Sequence, residues 1–595
     1  MHQPLLALPI KNPLLRGLLT KITRLDGIQG IYQGWLNAGR PGVHDRNPAL
    51  ALLDFALDHM MHVQLATEHV ERLELVPKTG PLMIVANHPF GALEGMLLTR
   101  LLLRVRPDLK VLTNQLLHVF PEFKDVFVGV DVLQANREQA NSSGIRVLSK
   151  HVGSGGAALV FPAGTVAALD LPSLQLHDAP WNALIGRLVL KHQASCLPIF
   201  LHGRNSIAFY LSAWIHPRLR TALLPRAMLA KQHTQVRATI GALIEPSDFA
   251  AISDGKAVTQ YLRLCCERLA DQPAELDKTI TTSSTVSALR ADVSAAQLQA
   301  QHDTLAAYQV AGHGDFVAYC APHAALGCVM EQLAITRERT FREVEEGTGR
   351  ALDEDHFDAH YWHLWIWDHR LQQIVGGYRI AKTDELVQAR GINALYSRSL
   401  YEYDEGFLRT LGRSIEVGRS FVAPAYQRHP RTLDLLWKGI GNFITQNPGY
   451  HTLFGCVSIS KQYSALSRAI LADSFLYHYG ADASIRTRVQ ASSPLPVRKR
   501  SWDTSLIASL SDVPIINKLL GRLDAGRSVP VLIHHYLALN GKFVSFTVNH
   551  GFNQSLDGLI LVDLRLAPPR YISRYLGDQG AAEFNALHNV NSHAA

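Results

Sequence analysis

LMIVANHPFGALEG, residues 82–95, begins as a strand and ends as a helix. Leu82 to Ala86 is wholly apolar and includes Ile84 and Val85, the pattern of a strand buried on both faces. Asn87, His88 and Pro89 end that run, and Gly91 frees the backbone. From Ala92 to Val105 apolar residues recur at helical spacing. Glu94 therefore falls in the first helical turn, where a carboxylate is favoured. A His at a strand end and a Glu at the next helix start can face each other across a tight loop. Such a pair suits a general base: the carboxylate fixes the imidazole tautomer and stabilises the imidazolium formed when a hydroxyl proton is taken. The pair alone is weak evidence, and the surrounding blocks carry the rest.

This stretch resembles the Asn-His-x-x-x-x-Asp block of glycerolipid acyltransferases, in the Asn-His-Pro-Phe-Gly-x-Leu-Asp-Gly form of the haemolysin-like members. Here the loop between His88 and the acid is one residue longer than the general block, and the acid is Glu94. Phe161-Pro162-Ala163-Gly164-Thr165 resembles the Phe-Pro-Glu-Gly-Thr block of the same family. Ala163 and Val166 stand where the glycerol-phosphate enzymes carry Glu and Arg to hold their acceptor, so the resemblance implies another acceptor. Pro198 in CLPIFL resembles a fourth block. By this resemblance His88 and Glu94 are catalytic, and Asn87, Phe161, Pro162, Gly164 and Thr165 line the substrate site. Arg204, in the polar loop HGRNS, reads equally as a substrate contact or a loop cap.

With 595 residues the chain exceeds one ordinary hydrophobic core, so at least two domains are expected. A charged fraction of 18% and a hydrophobic fraction of 47% belong to a globular chain. The net charge of +7 and pI near 9.0 suit acidic partners. No nucleic-acid-binding motif is present, which leaves anionic lipid or an acidic carrier protein. Six cysteines without C-x-x-C spacing fit a reducing compartment and no metal site. Pro4, Pro9, Lys11 and Pro13 interrupt the N-terminus where a signal peptide needs an apolar core. The uncharged stretches 152–169 and 439–460 contain Gly and Pro, so no transmembrane helix is expected. LLRGLLTKITRL, residues 14–25, reads equally as a membrane-interface helix or as an amphipathic helix packed on its domain.

Strands at 110–113, 157–161, 196–201 and 236–244, with helices at 48–66, 137–152 and 181–192, predict an α/β layered domain whose reactive loops share one sheet end. A Thr-, Ser- and Ala-rich segment, 277–299, is the expected linker between domains at 1–276 and 300–595. In the second half, helices at 324–344 and 433–447 accompany strands at 316–321, 362–367, 374–380, 415–422, 452–460, 531–539, 543–548 and 559–564. That order predicts a mixed sheet with flanking helices, interrupted by a charged loop at 345–358.

The spacing of Arg337, Phe341, Asp355, Asp358, Arg379, Glu416 and Arg419 resembles the autoinducer-synthase branch of the N-acetyltransferase-like fold. It resembles ornithine N-acyltransferases more closely, through FREVEEGTG (341–349), LWKGIGNFI (436–444), GCVSISKQY (455–463) and VPVLIHHYLALNGKF (529–543). The resemblance implies a cluster that holds an amino-acid acceptor beside a thioester. Arg379 and Arg419 suit an α-carboxylate, Asp or Glu suits an ammonium, and Glu416 is positioned to take the amine proton. The glycine turn that cradles a diphosphate is missing after Val422. An acyl-acyl carrier protein donor is therefore expected ahead of acyl-coenzyme A, with no bound cofactor.

Together the halves resemble the bifunctional ornithine lipid synthases. The resemblance implies N-acylation of ornithine by a 3-hydroxyacyl group from acyl carrier protein, followed by O-acylation of the resulting lyso-ornithine lipid. It also implies a cytoplasmic enzyme held peripherally on the inner face of a bacterial membrane. Two alternatives stay open at this level: a lysophospholipid O-acyltransferase with a non-catalytic C-terminal module, and a membrane-lytic protein without enzymatic activity.

Overall fold

A central apolar strand organises the first half. The protein is described by a computed structural model over residues 13–44, 47–114, 119–130, 142–170, 175–215, 217–271, 286–496 and 500–590. It divides into two units, residues 1–279 with 500–509, and residues 280–499 with 510–595. The short segment 500–509 belongs to the first unit, where Lys256 pairs with Asp503 at 2.5 Å and Ser501 donates to Glu267 at 2.6 Å.

Among the described residues nine strands form in the first unit: β1 (Gln64–Glu68), β2 (Leu82–Ala86), β3 (Lys110–Asn114), β4 (Phe127–Val130), β5 (Ala157–Val160), β6 (Ala168–Asp170), β7 (Gln175–His177), β8 (Ser195–His202) and β9 (Gln235–Ile240). Seven of them make one sheet in the order β1-β9-β8-β2-β5-β3-β4, while β6 and β7 form a separate hairpin. Every pairing in the large sheet is parallel except β8 with β9. All residues of β2 and β5 are buried, as expected of parallel strands covered on both faces. Because β2, β5 and β8 run in the same direction, the loops carrying His88, Phe161 and Asn205 leave the same sheet edge.

The helix expected at 48–66 is shorter. It covers Pro48–Asp54, widens to a π-helical stretch at Phe55–Met61, and stops at His62, whose φ is +50°. The chain then enters β1, a half-exposed edge strand that lacks the apolar alternation needed to announce itself. The expected helix at 137–152 is described from Ser142–Gly153, and its beginning lies outside the described residues.

The second unit contains an eight-stranded sheet and a two-stranded one. The strands are β10 (Gln309–His313), β11 (Phe316–Pro322), β12 (Trp362–Asp368), β13 (Gln373–Lys382), β14 (Tyr401–Glu402), β15 (Ser414–Val422), β16 (Thr452–Ile459), β17 (Gln490–Ala491), β18 (Lys542–Asn549) and β19 (Ser555–Asp563). The large sheet has the order β10-β11-β12-β13-β15-β16-β19-β18, and β14 pairs with β17. The β15–β16 pair is parallel, and its pairing covers only Ser414 to Glu416 against Thr452 to Phe454. Both strands continue beyond that point without pairing to each other, which opens a gap in the middle of the sheet.

Two elements of this unit differ from the sequence expectation. Residues 531–539 form a helix, Val531–Ala538, rather than a strand. Its apolar run masks a helical face: Ile533 and Tyr536, three apart, are buried while Val531 is exposed. The helix expected at 324–344 is broken at Gly327, where φ is +53°, into His323–Leu326 and Cys328–Glu343. The end of the expected linker is helical, Ala295–Asp303, and residues 272–285 lie outside the described residues. Among the described residues no helix is long and apolar enough to cross a membrane, and no acid, His and Cys cluster can hold a metal ion.

Candidate active sites

The loop between β2 and helix Ala92–Leu103 brings His88 and Glu94 together. Glu94 Oε1 lies 2.8 Å from His88 Nδ1, with the Glu94 side chain fully buried and the imidazole partly exposed. The contact has ion-pair distance without hydrogen-bond alignment, and among the described residues Glu94 Oε2 has no donor. Resting sites often show such loose alignment before substrate arrives. The same Oε1 accepts the N–H groups of Phe90 at 3.0 Å and Gly91 at 2.7 Å, so the helix-capping acid also fixes the loop that presents the imidazole. Gly91 has φ +108°, and a Cβ there would fall 2.4 Å from Leu224 Cδ2.

Neighbouring loops hold His88 from three sides. Phe161 stacks on its ring with centroids 4.8 Å apart. Ala167 N–H donates to the His88 carbonyl at 2.8 Å, and the His88 N–H donates to Asp178 Oδ1 at 3.2 Å. Trp181 Nε1 donates to Asp178 Oδ2 at 3.0 Å, and burial pushes the Asp178 carboxyl above the usual range. Asp178 carried no sequence signal, because its partner is a backbone amide 90 residues away.

The other expected residues of this site divide by what they touch. Pro162 is buried, whereas Gly164 (φ +66°) and Thr165 are exposed at the turn. Asn87 does not reach outward. Its Nδ2 donates to the Leu201 carbonyl at 2.9 Å and its Oδ1 accepts the Leu201 N–H at 2.7 Å, which ties β2 to β8. Both ends of the amide take part in this tie, which leaves one N–H and one oxygen lone pair for any further partner. Arg204 is exposed, while the adjacent Asn205 is buried and donates to the Phe90 carbonyl at 3.1 Å.

In the second unit the charged residues from helix Cys328–Glu343, the 345–358 loop, β13 and β15 converge. Arg337 meets Asp358 at 2.9 Å and Asp353 at 3.0 Å; Arg379 meets Asp355 at 2.7 Å and Asp358 at 3.2 Å. Arg419 approaches Asp355 at 3.3 Å and Asp353 at 3.5 Å. Three arginines thus balance three aspartates, with Asp353 the member that sequence spacing missed. Burial raises the Asp358 carboxyl, but Arg337 and Arg379 outweigh it and hold the group well below the usual carboxylate range. Burial lowers the Arg379 guanidinium, and Asp358 with Asp355 more than reverses that. Paired and hydrogen-bonded in this way, buried charges are tolerable.

Arg419 reaches the cluster through a bulge. The β13–β15 register shifts between Gly377 and Arg379, and Arg419 has φ +49° on β15. Its guanidinium lies over the rings of Tyr396 at 5.0 Å and Phe552 at 4.9 Å, and Phe341 packs edge-on against Phe552. A cavity of about 370 Å³ opens here, lined by Asp355, Tyr396, Arg419, Asn549 and Phe552 among others. Among the described residues Arg419 Nε has no acceptor.

Glu416 is differently occupied from its expected role. Its Oε2 accepts from Tyr361 Oη and the Tyr396 N–H, and its Oε1 accepts the Ser397 N–H at 2.8 Å. With both oxygens engaged and the side chain buried, it anchors the segment bearing Tyr396. Another acid is also buried. Glu346 is buried and accepts from Ser458 Oγ at 2.8 Å, and Ser458 stands opposite Asp557 in the β16–β19 register. Burial, followed by the Asp557 charge, pushes the Glu346 carboxyl up to about 8. Asp557 is itself raised by burial and accepts Asn549 Nδ2 at 2.9 Å. Among the described residues neither acid stands in an ion pair.

Residues 54–253 match a family model described as acyltransferase, and residues 336–438 match one described as acetyltransferase (GNAT) domain. Glycine N(alpha)-acyltransferase of Phocaeicola vulgatus is 28% identical over 254 residues, covering 39% of this chain and 76% of that protein. L-ornithine N(alpha)-acyltransferase of Agrobacterium fabrum is 29% identical over 245 residues, covering 39% and 74%. The solved 1-acyl-sn-glycerophosphate acyltransferase PlsC of Thermotoga maritima aligns with 44% of this chain and 99% of its own, at 16% identity and a TM-score of 0.28.

Proposed function

We propose that this chain, an acyltransferase that pairs an acyltransferase domain with an acetyltransferase-type domain, makes a doubly acylated amino-acid lipid at two centres. The observation that carries the reading is the presence of two unlike constellations, His88 with Glu94 in one unit and the arginine-aspartate cluster with its cavity in the other. One suits a hydroxyl acceptor and the other an amine.

In the second unit the acceptor is ornithine and the donor a 3-hydroxyacyl thioester of acyl carrier protein. The α-carboxylate meets Arg419, which lines the cavity and exchanges part of its pairing with Asp353 and Asp355 for the ligand. The side-chain ammonium complements Asp557, which among the described residues stands in no ion pair and accepts from Asn549 at the cavity. The α-amine attacks the thioester carbonyl, the C–N bond forms, the C–S bond breaks, and the carrier thiolate leaves. The amine proton passes to Glu346, where burial makes the carboxyl a stronger proton holder than an ordinary carboxylate. The L-ornithine N(alpha)-acyltransferase relative supports ornithine, and the glycine relatives make glycine the competing acceptor.

In the first unit the 3-hydroxyl of this lyso-lipid is the acceptor. His88 takes the hydroxyl proton as the oxygen attacks a second acyl thioester, Glu94 stabilises the imidazolium, and the proton follows the departing thiolate. The enzyme works peripherally at the cytoplasmic face of the membrane, where a lyso-lipid of ordinary chain length stays embedded.

Expression in a bacterial host followed by lipid extraction and mass analysis tests this. The wild type yields a new diacylated aminolipid, and His88→Ala replaces it with the mono-acylated species. Turnover of lysophosphatidic acid without any amino-acid lipid overturns the reading in favour of a lysophospholipid acyltransferase. Loss of both products in His88→Ala rules out separate centres.

A further inference from the structure

Between Asp178 and Glu245 the chain contains no acidic residue, while Arg204, Arg218, Arg220, Arg226 and Lys231 crowd into residues 203–233. Within that span lies helix Ile207–Ile215, IAFYLSAWI, which carries no charge at all. Ile207 and Leu211, four apart and so on one helical face, are 57% and 42% exposed. Leu219, in the following helix Pro217–Ala222, is 40% exposed. An uncharged helix that leaves large aliphatic side chains in water inside a cationic, acid-free segment marks a contact surface.

The other side of this segment is fastened to the His88 loop. Phe209 and Tyr210 are buried with Val166, and Leu223 and Leu224 pack against them. The Asn205 N–H donates to Tyr210 Oη at 3.0 Å, and the Asn205 side chain donates to the Phe90 carbonyl at 3.1 Å. Lys231 Nζ stands 5.3 Å from the centre of the Phe90 ring. One face of helix Ile207–Ile215 therefore supports the residues between His88 and Glu94, and its other face exposes the aliphatic ridge of Ile207 and Leu211.

We propose that the surface formed by helices Ile207–Ile215 and Pro217–Ala222, with Arg204, Arg220 and Arg226 beside them, seats on the surface of an anionic lipid bilayer and brings the lipid-borne acceptor to His88. The aliphatic ridge enters the boundary between headgroups and acyl chains, and the arginines meet the lipid phosphates. Charge complementarity alone would also suit an acidic carrier protein. The ridge of Ile207, Leu211 and Leu219 favours lipid, because a hydrocarbon boundary takes up exposed aliphatic chains that a highly charged partner does not. The assignment rests on the proposed O-acylation for its purpose, although binding itself is measured without turnover.

The test is flotation of the full-length protein with vesicles of phosphatidylglycerol and phosphatidylcholine, against vesicles of phosphatidylcholine alone. The wild type floats with the anionic vesicles. Ile207→Ser with Leu211→Ser lowers the partition coefficient roughly tenfold or more. Arg220→Glu lowers it about fivefold or more at low salt, and high salt weakens wild-type binding similarly. Melting temperatures matching the wild type certify both variants as folded. Unchanged flotation of both variants overturns the proposal. So does loss of affinity for acyl carrier protein with vesicle binding intact, which makes this face a protein dock. If flotation follows the expectation while no ester is formed, the surface stands and the O-acylation reading falls.

Discussion

Replacing Glu94 by Gln separates the charge of this residue from its role as a loop brace. The carboxylate lies 2.8 Å from His88 Nδ1 and accepts two loop amides. Gln keeps an oxygen for those amides and removes the charge that stabilises an imidazolium. Coulomb's law over this distance gives about 1.5 kcal/mol at the dielectric of water and about 6 kcal/mol at an effective protein value near 20. At about 1.4 kcal/mol per decade, the O-acylation rate should fall between roughly 10-fold and 10⁴-fold. The amide nitrogen would occupy the buried Oε2 position, which has no partner, so a stability loss of about 1–3 kcal/mol is expected alongside. The assay follows transfer of a labelled acyl chain to a purified 3-hydroxyacyl amino acid, with thermal melts in parallel. N-acylation in the same preparation serves as the internal control. A Glu94→Gln enzyme within threefold of wild type would reduce Glu94 to a helix cap and remove the general-base argument.

Arg337→Ala leaves Asp353 and Asp358 buried with reduced compensation, and a loss of about 3–5 kcal/mol in urea unfolding is expected; a loss below about 1 kcal/mol would mean that water or a neighbouring arginine replaces it. Asn87→Ala strands the Leu201 N–H and carbonyl, each at a cost of about 1–3 kcal/mol, and lowers both stability and O-acylation; unchanged melting would show that the bridge between β2 and β8 is dispensable. Glu346, pushed up to about 8, binds a proton in the folded state that the unfolded chain releases near its ordinary value. The folded state holds more protons between those values, so stability falls as pH rises through that window, by several kcal/mol in all. Glu346→Gln should flatten this dependence and abolish the rise of N-acylation toward pH 8; an unaltered pH profile would exclude Glu346 from the proton path.

Local pattern carried much of the fold. The apolar runs at 82–86 and 157–161 read as buried strands, and the break at Asn87 to Gly91 followed by helical spacing placed Glu94 within reach of His88. The alternation of strands and helices in residues 110–244 likewise implied an α/β sheet. Where local pattern was ambiguous the expectation failed. VLIHHYLA is apolar enough for a strand, and only the burial of Ile533 and Tyr536 together shows its helical face. β1, half exposed at the sheet edge, gave no signal because pairing with β9 holds it rather than its own side chains.

The sequence by itself determined which residue types meet: an imidazole with a carboxylate, and arginines with acids at recurring intervals. Those follow from strand ends, helix starts and spacings of three or four residues, all local quantities. Tertiary structure alone decided what each polar atom is used for. Asn87 is engaged by Leu201, Glu416 by Tyr361, Tyr396 and Ser397, and the three arginines by Asp353, Asp355 and Asp358. A buried hydrogen-bonding group must find its partner wherever the chain returns, often a hundred residues away. Distance along the chain says nothing of that, and so Glu346 and Asp178 emerge only when the strands are assembled.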